Sequence, residues 1–293
     1  MGIAEGTAQL NTGALIPLIG LGTVTRNLND EEIKAAVTTS LQVGYRHFDT
    51  ASFYGTEHAL GEALNSAFRS GIVNREDVFV TSKLGNTEHD DPIAAIKNSL
   101  KSLQLEYVDL YLIHWPVKMR TRILFSQPKE EDFLPLDIKS TWQGMEQCME
   151  TGLTKAIGVE MHPLWQQKKL RECCSKHNIH VSAWSPLGAP NNPWGSNVVI
   201  DNPLIQEIAE KHGKTRAQVI LRWGVEQGVS VLPKSFNAGR IAENFQIFDW
   251  SLTLDDHGKI SKLKQGKIST GQKFVNSTTS PYKTIEELWD GEI

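Results

Sequence analysis

The sequence predicts a single α/β domain over residues 1–293, a parallel barrel of alternating strands and helices, and three observations carry that reading. Short runs rich in Val, Ile, Tyr and Phe recur along almost the whole chain. The stretches between them carry helix start and stop signals. The third observation is an omission: Gly20-Leu21-Gly22 lacks the third glycine of a Gly-x-Gly-x-x-Gly fingerprint, and its helix comes too late. Strand, helix and strand in repetition allow either a closed barrel or an open doubly wound sheet. The lack of the dinucleotide fingerprint puts the barrel ahead.

In chain order, Ala8-Gln9-Leu10 and Leu15-Ile16-Pro17 flank the turn Asn11-Thr12-Gly13-Ala14, which predicts an N-terminal β-hairpin. Ile19-Gly20-Leu21-Gly22-Thr23 is the first barrel strand. Asn29 with Glu32 forms a capping box, Ile33, Ala36, Val37 and Leu41 make an apolar stripe, and Gly44 ends that helix. Strands follow at Tyr45–Asp49, Val78–Lys83 and Val108–His114. Asp91-Pro92 opens a helix with Ile93, Ile96, Leu100 and Leu103 on one face. Further strands are Ala156–Val159, Val181–Trp184 and Val229–Pro233, and Thr215 with Gln218 caps a helix running to Gly228. That makes seven strands, whereas a closed (β/α)8 barrel needs eight. Only 25 positions separate Ala156 from Val181, room for one helix. Val198-Val199-Ile200 is the remaining candidate strand, short and flanked by asparagines.

Composition narrows the partners. Lys and Arg number 30 against 34 Asp and Glu, and no segment gathers five or six like charges, so a nucleic-acid or anionic-membrane surface is not expected. Met1–Gly6 has no basic or apolar leader pattern, and the longest apolar run is far short of the ~18 residues needed to span a bilayer. Cys148, Cys173 and Cys174 carry no Cys-x-x-Cys spacing, which reads as reduced thiols and neither a disulfide frame nor a metal site. The expectation is a soluble, cytoplasmic protein with no metal.

Three ionisable residues end, or directly follow, three successive strands: Asp49, Lys83 and His114. Strand C-termini of such a barrel converge on the active-site mouth, and buried charges are costly unless paired. Tyr54 follows Asp49 closely. A Lys83 ammonium near its phenol is expected to lower the phenol pKa from about 10 toward working pH, with Asp49 holding the lysine charged. His114 can orient a carbonyl oxygen. The set fits protonation of an oxygen on which negative charge develops, one half of a carbonyl reduction. The other half, hydride delivery, implies a nicotinamide cofactor, because no side chain supplies a hydride. Lys234, Ser235 and Arg240 form a cationic clamp for a phosphate beside a helix N-terminus, with Arg240 and Asn244 on one helix face. Trp184, at another strand end, can stack on the nicotinamide ring.

Together these residues resemble the aldo-keto reductase family. The motifs are Gly44-Tyr45-Arg46-His47-Phe48-Asp49-Thr50-Ala51, Tyr54-Gly55-Thr56-Glu57, Thr81-Ser82-Lys83-Leu84, Asp109-Leu110-Tyr111-Leu112-Ile113-His114-Trp115-Pro116, and Lys234-Ser235 leading to Arg240-Ile241-Ala242-Glu243-Asn244. Trp184-Ser185-Pro186-Leu187-Gly188-Ala189 and Ile247-Phe248-Asp249-Trp250 resemble its plant branch, which includes codeinone, chalcone polyketide and galacturonate reductases. The resemblance implies a TIM-type (β/α) barrel and a catalytic tetrad of Asp49, Tyr54, Lys83 and His114, with Tyr54 the general acid. It implies cofactor contacts at Gly22, Thr23, Asp49, Trp184, Ser185, Leu187, Lys234, Ser235, Phe236, Asn237, Arg240, Glu243 and Asn244. Lys234 and Arg240 on a 2′-phosphate imply NADPH over NADH. A small-molecule carbonyl substrate would sit among Val24, Phe53, His114, Trp115, Trp194 and the C-terminal loop after about Gly271, in a monomer.

The departure falls where the strand count fails. Relatives carry Gly-Val-Ser-Asn-Phe after the fifth strand, a helix, then a sixth strand reading Asn-Gln-Val-Glu-Met. Here Gly158-Val159 runs directly into Glu160-Met161-His162-Pro163. One βα unit of roughly 30 residues is expected to be missing after Val159, and with it the Asn and Gln that hold the nicotinamide carboxamide. The alternative expectation is therefore an inactive or weakly active shortened variant that binds NADPH without turnover.

Overall fold

The computed structural model describes residues 6–10, 12–25, 28–115, 117–122, 129–150, 159–176, 180–190, 195–267, 271–275, 277–278, 280 and 282–288. The N-terminal hairpin pairs β1 (Thr7–Gln9) antiparallel with β2 (Leu15–Pro17), as the turn between them predicts. Next come β3 (Leu21–Gly22), β4 (His47–Asp49), β5 (Phe79–Leu84) and β6 (Leu110–Ile113), which form a four-stranded parallel sheet in chain order. A second parallel sheet joins β9 (Val159–Glu160), β10 (Ser182–Trp184) and β11 (Ser230–Leu232). Single bridges from Ile19 to Val231 and from Gly22 to Lys234 stitch β11 to β3. Among the described residues this gives one arc of seven parallel strands, with no bridge from β6 to β9. Between those two strands a small antiparallel ribbon, β7 (Lys118–Met119) and β8 (Phe133–Leu134), lies outside the arc.

Helices follow the strands as their capping chemistry dictates. In α1 (Asp30–Val43) the Asn29–Glu32 box is formed in both directions, and Gly44 closes the helix at φ 117°, a left-handed conformation that suits glycine. The chain continues through α2 (Glu57–Arg69), α3 (Pro92–Leu103), α4 (Ile138–Glu150), α5 (Lys168–Lys176), α6 (Pro203–His212), α7 (Arg216–Glu226), α8 (Ala238–Phe245), α9 (Leu254–Ile260) and α10 (Ile285–Leu288). Asp91 caps α3 by accepting from Ala94 N, with Pro92 at the first helical position. Thr215 and Gln218 box the start of α7. Val198-Val199-Ile200 corrects one expectation: these residues form a turn, with Val198 exposed, and they are not an eighth strand. Cys148 and Cys174 are buried.

Period-two alternation decides what each strand face carries. Phe48, Val80, Leu84 and Tyr111 point to the helix layer, where Leu60, Leu64, Ile96, Leu100 and Leu103 complete the main core. On the other face the hairpin residues Leu10 and Ile16 pack on Phe79, Leu110 and Leu112. Each fully buried aliphatic side chain of this kind contributes about 1.5–3 kcal/mol. The same inner face carries His47, whose Nε2 meets Thr81 Oγ1 at 2.9 Å, and above it Asp49 and Lys83. No helix among the described residues is long and apolar enough to cross a membrane.

Candidate active site

Parallel pairing brings the strand C-termini to one rim, and the predicted residues gather there. Register places Gly22 beside Asp49 on one side and Lys234 on the other, and Lys83 beside Leu112. Asp49 is the last residue of β4, Lys83 lies one residue from the end of β5, and His114 follows β6 directly. Lys83 Nζ donates to both carboxylate oxygens of Asp49, at 2.7 and 2.8 Å, and to Thr50 O at 2.8 Å. Tyr54 closes the short 3-10 turn Ser52–Tyr54, and Gly55, at φ 73°, turns the chain into α2. Lys83 Nζ lies 4.8 Å from the Tyr54 ring centroid. The His114 ring stands edge-on to Tyr54 at 5.4 Å and to Phe53 at 5.6 Å. Tyr54, Asp49, Lys83 and His114 therefore form one cluster.

Buried hydroxyls support the loop that carries Tyr54. Thr23 Oγ1 donates to Asp49 O at 3.0 Å and meets Thr56 Oγ1 at 2.9 Å, and Thr56 Oγ1 meets Thr50 Oγ1 at 3.0 Å. Behind Lys83, the buried Glu57 accepts from Ser82 Oγ at 2.6 Å. Burial raises the Glu57 carboxyl against the pull of its serine partners.

The electrostatics correct one expectation. Burial pushes the Tyr54 phenol up, Lys83 pulls it down, and Asp49 pushes it up again, so the net direction is upward and not toward neutrality. Lys83 behaves as expected. Burial alone would lower its ammonium, but Asp49 and Tyr54 opposite it hold the net direction upward and keep it charged. Burial raises Asp49 against the pull of Lys83. The cluster thus holds a protonated phenol beside a fixed cation.

A cleft opens next to His114, enclosing about 540 Å³ of space that includes open solvent. Phe53, His114 and Trp115 line it as predicted, while Val24 and Tyr54 are not among its lining residues. The C-terminal loop contributes Phe274, whose ring lies 4.6 Å from Trp115. Trp194 lies outside the described residues. Gly85, Asn86, Glu88, Met119 and Arg122 also line the cleft and were not anticipated. Gly85, Asn86 and Glu88 come from the loop after β5, Met119 from the two-residue β7 and Arg122 from the loop after it, where no periodicity marks them.

The predicted cofactor residues run along the rim from β3 through β11 to α8. Trp184 ends β10, half-buried, with its ring 6.4 Å from Trp115. Ser185 follows in a left-handed conformation at φ 50°, unusual for a residue with a side chain. Leu187 packs against the main core. Ser235 Oγ accepts from Asn237 N, and Asn237 caps α8 by accepting from Arg240 N at 3.0 Å. Phe236 is partly buried on the core, with Lys234 Nζ 5.6 Å above its ring. Asn244 is buried, and Glu243 Oε1 accepts from Thr215 Oγ1 at 2.8 Å, tying α8 to the cap of α7. Lys234 is lowered by partial desolvation and by Arg240 nearby, and among the described residues no carboxylate pairs with either cation. Two adjacent uncompensated cations beside a capped helix start fit a phosphate group. A side chain at Gly22 would meet Leu232 O at 3.3 Å, so glycine there serves the close approach of β3 to the end of β11.

The aldo/keto reductase family model matches this chain over residues 6–166 and again over 159–265. The chain belongs to the aldo/keto reductase family. Its sequence is 45% identical to deoxymugineic acid synthase 1 of Zea mays, over 95% of this chain and 97% of that protein. It is 43% identical to aldo-keto reductase family 4 member C11 of Arabidopsis thaliana, with 98% of each covered. It is 46% identical to the 7-acetyl-epi-neemfruitin B aldo-keto reductase of Melia azedarach, over 97% of this chain and 96% of that one. The family implies a TIM-type α/β barrel and a nicotinamide-dependent oxidoreductase, so this chain is an enzyme of the aldo/keto reductase type. The three alignments run 305, 314 and 310 positions, so in each about 27 positions face no residue of this 293-residue chain. The two family-model segments meet at residues 159–166.

Proposed function

We propose that this aldo/keto reductase reduces an aldehyde or ketone to the alcohol, with hydride from NADPH and a proton from Tyr54. The observation that carries the reading is the Lys83 ammonium, held by both oxygens of Asp49 and facing the Tyr54 ring, with His114 edge-on beside the cleft. NADPH, when bound, supplies the hydride that no side chain can. His114 orients the carbonyl oxygen toward Tyr54, and Tyr54 donates its proton to that oxygen as negative charge develops. Lys83 stabilises the phenolate left behind, and Asp49 keeps Lys83 charged and in place. Lys234 and Arg240 hold the 2′-phosphate, which favours NADPH over NADH. Gly22, Thr23, Trp184, Ser185, Leu187, Ser235, Phe236, Asn237, Glu243 and Asn244 frame the rest of the cofactor, and Trp194 completes the substrate rim. The single domain acts as a cytoplasmic monomer.

A second reading rests on the junction. About 27 alignment positions without a residue here, close to one βα unit, support a barrel one unit short after Val159. Buried His162 and Trp165 stand at that point, and among the described residues neither His162 ring nitrogen nor Trp165 Nε1 has a hydrogen-bond partner. The shortened chain then binds NADPH with loosened hydride geometry, where an error of about 1 Å can cost ~100-fold in rate. Quenching of tryptophan fluorescence by NADPH, followed by NADPH oxidation with a test aldehyde, separates the two readings. Quenching with turnover supports the reductase; quenching without turnover supports the binder; tighter binding of NADH than NADPH contradicts the assignment of Lys234 and Arg240.

A further inference from the structure

The cleft beside His114 has an asymmetric charge arrangement. One wall is aromatic, built from Phe53, Trp115 and Phe274. The rim carries Arg122, in the loop after β7. Its Nη2 donates to Ser52 O at 2.8 Å and to Phe53 O at 2.7 Å, and its guanidinium lies 5.6 Å from the Phe53 ring centroid. These contacts fix the head group while using one of its three nitrogens. A guanidinium has five N–H donors, so with both Nη2 hydrogens committed the Nε–H and the two Nη1 hydrogens remain as separate donors, each able to take one oxygen of an anion. Among the described residues no carboxylate pairs with Arg122. The acid that shares the cleft, Glu88, is turned away from that role. Its Oε2 accepts from Gly85 N at 2.7 Å and from Ser52 Oγ at 3.1 Å. Nearby Asp132 is likewise taken up, by Lys129 N and Thr121 Oγ1.

We propose that Arg122 recognises an anionic group of the substrate, so that this reductase takes a carbonyl compound that also carries a carboxylate. This rests on the carbonyl-reductase reading above and names the substrate class for that site. His114 and Arg122 pack on the same Phe53 ring, each 5.6 Å from its centroid, so the imidazole and the guanidinium are at most about 11 Å apart and one small molecule can reach both. An aromatic or medium-chain oxo acid meets both requirements, its apolar body lying along Phe53 and Phe274. The arrangement also makes Arg122 a selector, because the guanidinium of an acid-binding site is left solvated when a neutral carbonyl binds.

The test compares 4-carboxybenzaldehyde with benzaldehyde by calorimetric titration of the full chain, with NADP+ in place of NADPH so that binding is read without turnover. The wild-type chain is expected to bind the acid about tenfold or more tightly than the neutral aldehyde. Arg122→Met should collapse that ratio to near one, and Arg122→Lys should keep part of it as a point charge. Equal affinity of the wild-type chain for the two compounds, or a preference that survives Arg122→Met, overturns the proposal. A parallel loss of both affinities in Arg122→Met also overturns it, since that reports only disturbance of the Ser52–Tyr54 turn. Turnover is measured separately with NADPH: an intact acid preference without turnover counts against carbonyl reduction and supports the anion site.

Discussion

Lys83 is the residue on which the site turns, because it is buried and yet satisfied three times over, by Asp49 twice and by Thr50 O. Replacing it by Met removes the charge that offsets burial of Tyr54, so the phenol becomes a weaker acid still. The expected result for Lys83→Met is a fall in kcat of about 100-fold or more, read as NADPH oxidation at saturating cofactor. It also leaves Asp49 buried without its counter-charge, a cost of about 3–5 kcal/mol that a thermal melt should register. Because the raised Tyr54 stays protonated through neutral pH, wild-type kcat should hold flat across that range. It should fall only on the alkaline side, above the ordinary tyrosine value of about 10. The clustering of Asp49, Tyr54, Lys83 and His114 was legible in the sequence because a carboxylate, an ammonium and an imidazole at three successive strand ends have few structural explanations. The direction of the Tyr54 shift was not, since desolvation depends on neighbours such as His114 that lie 60 residues away. Arg122 was illegible for the same reason, as a loop residue brought in by the fold, whereas Phe274 lies in the C-terminal loop expected to face the substrate.

At the scale of elements, caps and close crossings set the fold. The capping boxes at Asn29 and Thr215 formed as their spacing dictated, because cap chemistry is local. The β7–β8 ribbon escaped notice because strands of two residues show no periodicity. Val198-Val199-Ile200 shows the converse, as three branched residues suffice for a strand pattern but not for a pairing partner. Helices α2 and α3 cross at Gly61, where a Cβ would run into the Leu103 carbonyl. Gly61→Ala is therefore expected to lower the melting temperature by several degrees, and an unchanged melt would contradict that crossing. The C-terminal half is held by Asp256, fully buried at the start of α9. Burial alone would raise its carboxyl, but hydrogen bonds from Lys211, Thr253 and His212 outweigh burial and hold it well below the usual carboxylate range. A group depressed in the folded state stabilises above its unfolded value of about 3.9, and that stability is lost as pH falls through the folded value. Urea midpoints of Asp256→Asn should be lower than wild type at pH 7, with the difference shrinking in acid.

For the whole molecule, the described residues give an arc of seven parallel strands that is open between β6 and β9, on the N-terminal side of Val159, whereas the sequence expectation puts the missing unit after Val159. What the sequence could not supply is how the flanking elements respond, because that depends on packing across the chain. His162 and Trp165 illustrate the response: they are buried, and their side-chain nitrogens lack partners among the described residues, each such group costing about 1–3 kcal/mol. Inserting the corresponding βα unit of the Zea mays relative, about 27 residues, after Val159 is expected to raise the melting temperature followed by far-UV circular dichroism. An unchanged or lower melt would mean that the chain has already closed around the junction by other contacts.

The most direct test of the chemistry is kcat of Tyr54→Phe with a test aldehyde, at NADPH concentrations where fluorescence quenching shows the cofactor bound. Loss of the phenol proton donor predicts a fall of about 100- to 10,000-fold with cofactor affinity retained. A Tyr54→Phe rate within a few-fold of wild type would show that the proton comes from elsewhere and that the Lys83–Tyr54 arrangement does not drive the reduction.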